Sequence, residues 1–204
     1  MLLLTADYAA SVVIEALDVD RVRRELTTKC LGRALVYADE VESTNDSAAA
    51  ALRTDADLPS GALFVAERQR RGRGTGGNAW ESEHGGLWMS LVLDAPLVAQ
   101  PLPFLPAVAL VDALANIGVV AHLKWPNDVL VGERKIAGIL IESETRATGQ
   151  LAWVVGVGWN VGQQQFSAEL VGTATSVALE LGRAVPREGL LVDWLAAVER
   201  HEDA

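Results

Sequence analysis

Apolar positions in this chain gather in short runs separated by clusters of glycine, proline, aspartate and serine, the pattern of a sheet-rich protein rather than a helical bundle. Ala34 to Tyr37, Ala62 to Glu67 and Leu87 to Leu93 read as strands, the second following the turn Pro59-Ser60-Gly61. Leu123 to Trp125, Val129 to Val131, Ile136 to Ser143 and Ala152 to Trp159 add four more. Helices are expected between and around them. Asp18 or Asp20 caps a short helix through Leu26, and Ser43-Thr44-Asn45-Asp46 supplies starting polar groups for the alanine-rich run Ala48 to Leu52. Pro103 to Ile117 fits an amphipathic or buried helix stopped by Gly118. A further helix follows Thr175-Ser176 to Leu181, and Pro186 opens a last one through Arg200. Short polar turns between the last three strands favour antiparallel neighbours. The expected fold class is therefore α/β of the α+β type, with a mixed, largely antiparallel sheet flanked by helices. No repeat, low-complexity tract or linker divides residues 1–204, so one domain is expected.

Charge and composition narrow the function. The net charge is -10 and the pI is near 4.7, which opposes non-specific nucleic-acid binding, since that depends on neutralising phosphates. Pro101 to Ala121 is broken by Pro103, Pro106, Asp112 and Asn116, and Leu2 to Leu4 lacks a basic flank, so neither a membrane span nor a signal peptide is expected. Cys30 alone cannot form an intramolecular disulfide, and three scattered histidines make no zinc constellation. A cytoplasmic location is the expectation.

Against this acidic background, Arg68, Arg70, Arg71 and Arg73 stand beside Gly72, Gly74, Gly76 and Gly77, followed by Trp80. Glycines let a backbone approach a ligand and expose its N–H groups, and arginine forks match phosphate and carboxylate oxygens. The segment reads as an anion cradle, with a solvated basic loop as the plainer alternative. Gly72, Gly74 and Gly77 also satisfy G-x-G-x-x-G. A dinucleotide site needs a helix opening at the third glycine, and Asn78 to Gly86 carries no helical period.

Lys124-Trp125-Pro126-Asn127-Asp128 then combines a cation, an aromatic platform, a turn, an amide and a carboxylate. Phosphoryl and nucleotidyl transfer use such parts, a cation for developing charge and a carboxylate for Mg²⁺, although Pro-Asn-Asp is also an ordinary turn. Two of the chain's three lysines, Lys124 and Lys135, lie in this region. Gly138 would leave room for a ligand on its strand, and Gly156 to Asn160 repeats the pattern of an apolar strand opened by glycines and closed by an amide. Trp80 and Trp125 could equally be core aromatics, and Ser43 only a helix cap.

Taken in order, Ser43-Thr44-Asn45, Gln69 with Gly72-Arg73-Gly74, Trp80, Lys124 to Asp128, Arg134-Lys135-Ile136-Ala137-Gly138-Ile139-Leu140 and Gly156 to Asn160 resemble the catalytic domain of biotin protein ligases, over about residues 33 to 180. The resemblance implies that domain's fold, which is similar to that of class II aminoacyl-tRNA synthetases. It implies a biotin–[acetyl-CoA-carboxylase] ligase that uses ATP and Mg²⁺ to make biotinyl-5′-AMP and pyrophosphate, then transfers biotin to a lysine of a biotin-carrier domain. Ser43, Thr44, Gln69, Gly72 and Arg73 would surround the ureido ring, with Asn45 and Gly138 in the same pocket. Lys135 would hold the biotin carboxylate and α-phosphate, and Lys124 would lie on phosphate; these two and Arg73 are the expected catalytic groups. Trp80, Asn127 and Asn160 would lie near the nucleotide, and Asp128 would position Mg²⁺.

The chain departs from the family pattern in places. Thr75 and Asn78 stand where two arginines are usual, the first of them a contact to the intermediate, with Arg70 and Arg71 as candidate substitutes. About 40 residues precede Ser43, so no N-terminal winged helix is expected, and with 28 after Ser176 the usual C-terminal β-barrel is expected to be absent. A homodimer stays open. The competing readings are a lipoate or octanoate ligase of the same fold, disfavoured by the polar Ser43, Asn45 and Gln69, and a biotin-binding or sensing module with impaired transfer.

Overall fold

A computed structural model describes residues 15–94 and 104–202. The expectations at Leu2 to Leu4 and Pro101 to Pro103 lie outside the described residues. Among the described residues seven strands form a single sheet: β1 (Leu35–Val41), β2 (Leu63–Gln69), β3 (Leu87–Asp94), β4 (His122–Lys124), β5 (Asp128–Val131), β6 (Arg134–Thr145) and β7 (Leu151–Trp159), ordered β1-β2-β3-β7-β6-β5-β4. Only β1 and β2 run parallel; the other neighbours are antiparallel, so the mixed sheet is as expected. Helices α1 (Val19–Glu25), α2 (Thr44–Thr54), α3 (Phe104–Asn116), α4 (Val177–Leu181) and α5 (Arg187–Glu202) flank it. Asp18 caps α1 by accepting from the Arg21 N–H at 2.8 Å, and Ser176 caps α4 through the Leu179 N–H at 3.2 Å. Among the described residues no helix is long and apolar enough to cross a membrane.

Alternation along the strands decides where a site can lie. Leu63, Val65, Leu91, Val155 and Ile139 point to one face and bury a large core beneath α1, α3 and α5. Their neighbours Phe64, Val92 and Val154 point to the other face and pack under Ala48 and Leu52 of α2. One short helix cannot cover that second face. Beyond α2 its cross-strand partners are Ser90, Gly156 and Leu140, then Trp88, Gly158, Gly138 and Asp128, a floor with three glycines at its centre.

A β-bulge settles which face Lys135 joins. Asp128 pairs with Gly138 and Val129 with Ala137, but Leu130 pairs with Lys135, so Ile136 is the extra residue. Strict alternation from Gly138 would send Lys135 to the α3 face. The bulge returns it to the face that carries Gly138 and Asp128.

Candidate active site

Residues 69 to 82 fold as a small hairpin over this glycine floor. Gln69 bridges Ser82, the Trp80 N–H donates to the Gly72 carbonyl at 2.8 Å, and the Gly74 N–H donates to Asn78 at 2.8 Å. Thr75–Gly77 form a single 3₁₀ turn at the tip, where Gly76 and Gly77 take φ of 69° and 81°. Asn78, one of the two departures from the arginine pattern, donates its side-chain amide to the Thr75 carbonyl at 2.9 Å and fastens that tip. No helix opens after Gly77, which disposes of the dinucleotide reading.

The hairpin lays Trp80 flat on the floor. A Cβ at Gly158 would stand 2.5 Å from the indole nitrogen, and one at Gly138 would stand 3.0 Å from the ring, so glycine at both positions makes room for the tryptophan. The Trp80 indole N–H is buried and has no hydrogen-bond partner among the described residues. Lys135 Nζ lies 4.9 Å from the ring centroid and 2.6 Å from Asp128 Oδ1.

Two cavities meet at Trp80 and Lys135. The first, about 30 Å³, is lined by Ser43, Thr44, Asn45, Gln69, Arg73, Gly138 and Asn127, among others. Its polar atoms form a fixed chain. The Thr44 N–H donates to Gln69 Oε1 at 2.8 Å, which leaves Gln69 Nε2 to donate to Ser82 at 2.8 Å. Ser90 on β3 donates to Asn45 Oδ1 at 2.6 Å, so Asn45 Nδ2 donates to Glu142 Oε2, also at 2.6 Å. A Cβ on Gly156 would stand 2.3 Å from Asn45 Oδ1; the floor is bare there to seat this amide. Ser43 is the N-cap residue of α2 but makes no side-chain capping bond; the residue is buried and lines the first cavity.

The second cavity, about 530 Å³, is lined by Lys124, Asp128, Asn160, Gln163, Phe166 and Leu170, together with the shared pair. Lys124 and Asp128 face each other across the β4–β5 hairpin. Asn160 donates to the Thr175 carbonyl at 3.0 Å, and the backbone of Lys135 is bracketed by Thr173 and Thr175. Among the described residues no group of three or more His, Cys, Asp or Glu could hold a metal by itself. Asp128 suits Mg²⁺ carried mainly by phosphate oxygens, because that ion commonly takes one or two carboxylates beside its phosphates.

Several sequence expectations change here. The four arginines are not a free anion cradle. Arg68 pairs with Glu40 and Glu83, Arg70 with Glu40 and Glu42, Arg71 with Glu42, and Arg73 with Asp46 and Glu142. Arg70 and Arg71 thus turn to Glu40 on β1 and Glu42 just after it, and are engaged away from the position left by Thr75. Gly72 lies within the hairpin and is not among the residues that line either cavity: a Cβ there would meet Ser82 and the Trp80 carbonyl at 2.4 Å. Asn127, expected near the nucleotide, lines the first cavity and exchanges hydrogen bonds of 2.9 Å with Ile139, which clamps the turn to β6. Trp125 is 78% exposed, so it is not a core aromatic. Sequence reasoning missed Asp46, Glu142, Ser82 and Ser90. Ser90 did leave a signal, as a lone hydroxyl inside the otherwise apolar run Leu87 to Leu93.

A family model described as the biotin/lipoate A/B protein ligase family matches residues 37–160. The bifunctional ligase/repressor BirA of Bacillus spizizenii is 37% identical over 191 residues, covering 90% of this chain and 58% of the relative. The biotin–[acetyl-CoA-carboxylase] ligase of Paracoccus denitrificans is 39% identical over 162 residues, covering 75% and 67%. Among solved structures, the biotin protein ligase of Aquifex aeolicus in complex with biotin and ATP superposes with a TM-score of 0.75 at 29% identity, covering 84% of this chain and 71% of that one. The chain spans 58% of the length of the Bacillus relatives.

Proposed function

The chain belongs to the biotin/lipoate A/B protein ligase family, and we propose that its activity is that of an ATP-dependent biotin–[acetyl-CoA-carboxylase] ligase. The observation that carries this is the meeting of two unlike cavities at Lys135. One presents the uncharged hydrogen-bonding side chains of Ser43, Thr44, Asn45, Gln69 and Asn127 beside Arg73 and Lys135, as a ureido ring with one carbonyl and two N–H groups joined to a carboxylate requires. The other carries Lys124 and Asp128, as a nucleotide phosphate with Mg²⁺ requires. Lys135 lines both, where it can hold two anions that repel each other at attack distance.

In the first step a biotin carboxylate oxygen bonds to the α-phosphorus of ATP, and the bond to the departing pyrophosphate breaks with its electron pair. In the second, a neutral lysine amine of a biotin-carrier domain attacks the acyl carbon; AMP leaves and the new amide nitrogen loses a proton. Lys135 holds the carboxylate against the α-phosphate, and Lys124 stabilises phosphate charge. The Ser43 hydroxyl, Thr44, Asn45 and Gln69 orient the ureido ring, and Trp80 walls the two sites apart. Arg73 acts from the cavity rim. Asn160 borders the nucleotide. Mg²⁺, with Asp128 as its protein ligand, would neutralise phosphate charge. Dependence on ATP favours a cytoplasmic reaction, and the net charge of -10 disfavours nucleic acid as a partner.

Pyrophosphate release should require biotin, ATP and Mg²⁺ together. Release supported by lipoate or octanoate but not by biotin would overturn the substrate assignment.

A further inference from the structure

Glu142 lies near the end of the apolar half of β6, outside the motifs that mark this site, yet it touches two of the site's elements. Its Oε2 accepts from Asn45 Nδ2 at 2.6 Å and from Arg73 at 3.1 Å. Arg73 extends its other arm to Asp46 of α2 at 2.8 Å. One guanidinium therefore ties the hairpin to β6 and α2 together, at the mouth of the first cavity. That cavity encloses about 30 Å³, whereas pockets for small organic ligands run from about 300 Å³ upward. Something at its mouth must move for a bicyclic ligand to enter. The floor is paired sheet, and Thr44 and Asn45 are hydrogen-bonded to it, but the hairpin is bonded mainly within itself. It can swing as a unit once Arg73 lets go.

We propose that Glu142 is a positioning residue, the catch on which Arg73 closes the 72–80 hairpin, and that it reports closure to the pocket by holding the Asn45 amide. The naming of the occupant as biotin rests on the reading above; the catch itself does not. Arg73, Asp46 and Glu142 are 37%, 53% and 42% exposed, so the pairs are screened and weak, as a catch that opens every turnover has to be.

Glu142→Gln keeps an acceptor for Asn45 but removes the charge that draws Arg73. Hydrogen exchange of the 72–80 peptide in the protein without ligand should quicken about twofold to fivefold, the equilibrium range of one exposed ion pair. The difference should vanish at about 1 M salt, where the screening length is about 3 Å. In pyrophosphate release, Glu142→Gln should raise the KM for biotin more than it lowers kcat, and Glu142→Ala, which also frees Asn45, should raise KM further. Exchange equal to the parent, a difference indifferent to salt, or equal effects of Gln and Ala would each overturn the proposal. If the parent responds to no biotin at all, the ligand assignment fails, while the exchange data still judge the catch.

Discussion

Two arginines in this fold each grip carboxylates, and burial makes them different devices. Arg187, at the start of α5, meets Glu67 of β2 through two bonds of 2.8 and 3.1 Å, with side chains 8% and 4% exposed. It also donates to the carbonyls of Gly86 and Glu15, while Glu67 accepts from Tyr37 and from the Leu17 N–H. Both terminal nitrogens of Arg187 and both oxygens of Glu67 are hydrogen-bonded, and the pair binds residues 15–17, the sheet and α5 into one piece. Arg73 grips two acids as well, but in water. A buried ion pair is hard to break because a charge would be stranded; an exposed one exchanges freely with solvent. The same side-chain chemistry yields a rivet in the core and a catch at the site.

The largest test of that difference is alanine at both places. Arg187→Ala strands Glu67 and should cost about 3–5 kcal/mol of stability; Arg73→Ala should cost under about 1 kcal/mol. Denaturant midpoints would measure both, and similar losses would break the comparison. The rivet also sets acid stability. Burial opposes ionisation of Glu67, but hydrogen bonds from Arg187, the Leu17 N–H and Tyr37 outweigh it and hold the carboxyl below its ordinary value. A lowered folded value means stability that is present above the ordinary carboxylate range and lost as pH falls through the lowered one. Unfolding measured from pH 7 downward should show this loss, and Glu67→Gln should flatten it at the expense of stability at neutral pH.

Lys135 sharpens the contrast, since its pair with Asp128 is intermediate, with side chains 33% and 22% exposed. Lys135→Ala should lower adenylation by about 10²-fold or more, as loss of one transition-state donor does, and should hardly move the denaturant midpoint. Activity within threefold of the parent would place Lys135 outside the reaction.

What the sequence made legible follows the same division. Most of the strands were readable because they bury an apolar run against a core, a property local to the run; β4, exposed at all three positions, is the exception. Lys135, Lys124 and Asp128 line one cavity together, a grouping the sequence suggested because charged side chains in a glycine-opened segment have few structural uses. The cradle reading of Arg68 to Arg73 failed because its partners, Glu40, Glu42, Asp46, Glu83 and Glu142, come from other elements, and spacing along a chain carries no information on who neutralises whom. Gly72 has a second use that spacing does not reveal, since the hairpin's own packing leaves no room there for a Cβ. The bulge at Ile136 was equally invisible, although it decides that Lys135 reaches the site.

The smallest expected effect concerns the hairpin tip. Thr75 stands exposed in the 3₁₀ turn, with one neutral hydroxyl, and the neighbouring Arg70 and Arg71 are held by Glu40 on β1 and Glu42 just after it. Arg73 is therefore the hairpin's cation at the first cavity, and its charge is shared between Asp46 and Glu142. An arginine at position 75 would add a long cationic arm that no carboxylate from β1 already claims. Because the tip is solvent-exposed, its contact to a phosphate is worth about 1 kcal/mol rather than the 1.5–3 kcal/mol of a buried charged hydrogen bond. The protein should then release biotinyl-AMP readily, and Thr75→Arg should slow that release about threefold to tenfold without shifting thermal stability. Incubation with biotin, ATP and an unrelated lysine-rich protein, followed by blotting for biotin, reads the leakage as bystander labelling. Labelling confined to a carrier domain in the parent, and unchanged by Thr75→Arg, would mean that Arg73 and the closed hairpin already retain the intermediate, and that the catch at Glu142 matters more than the charge at the tip.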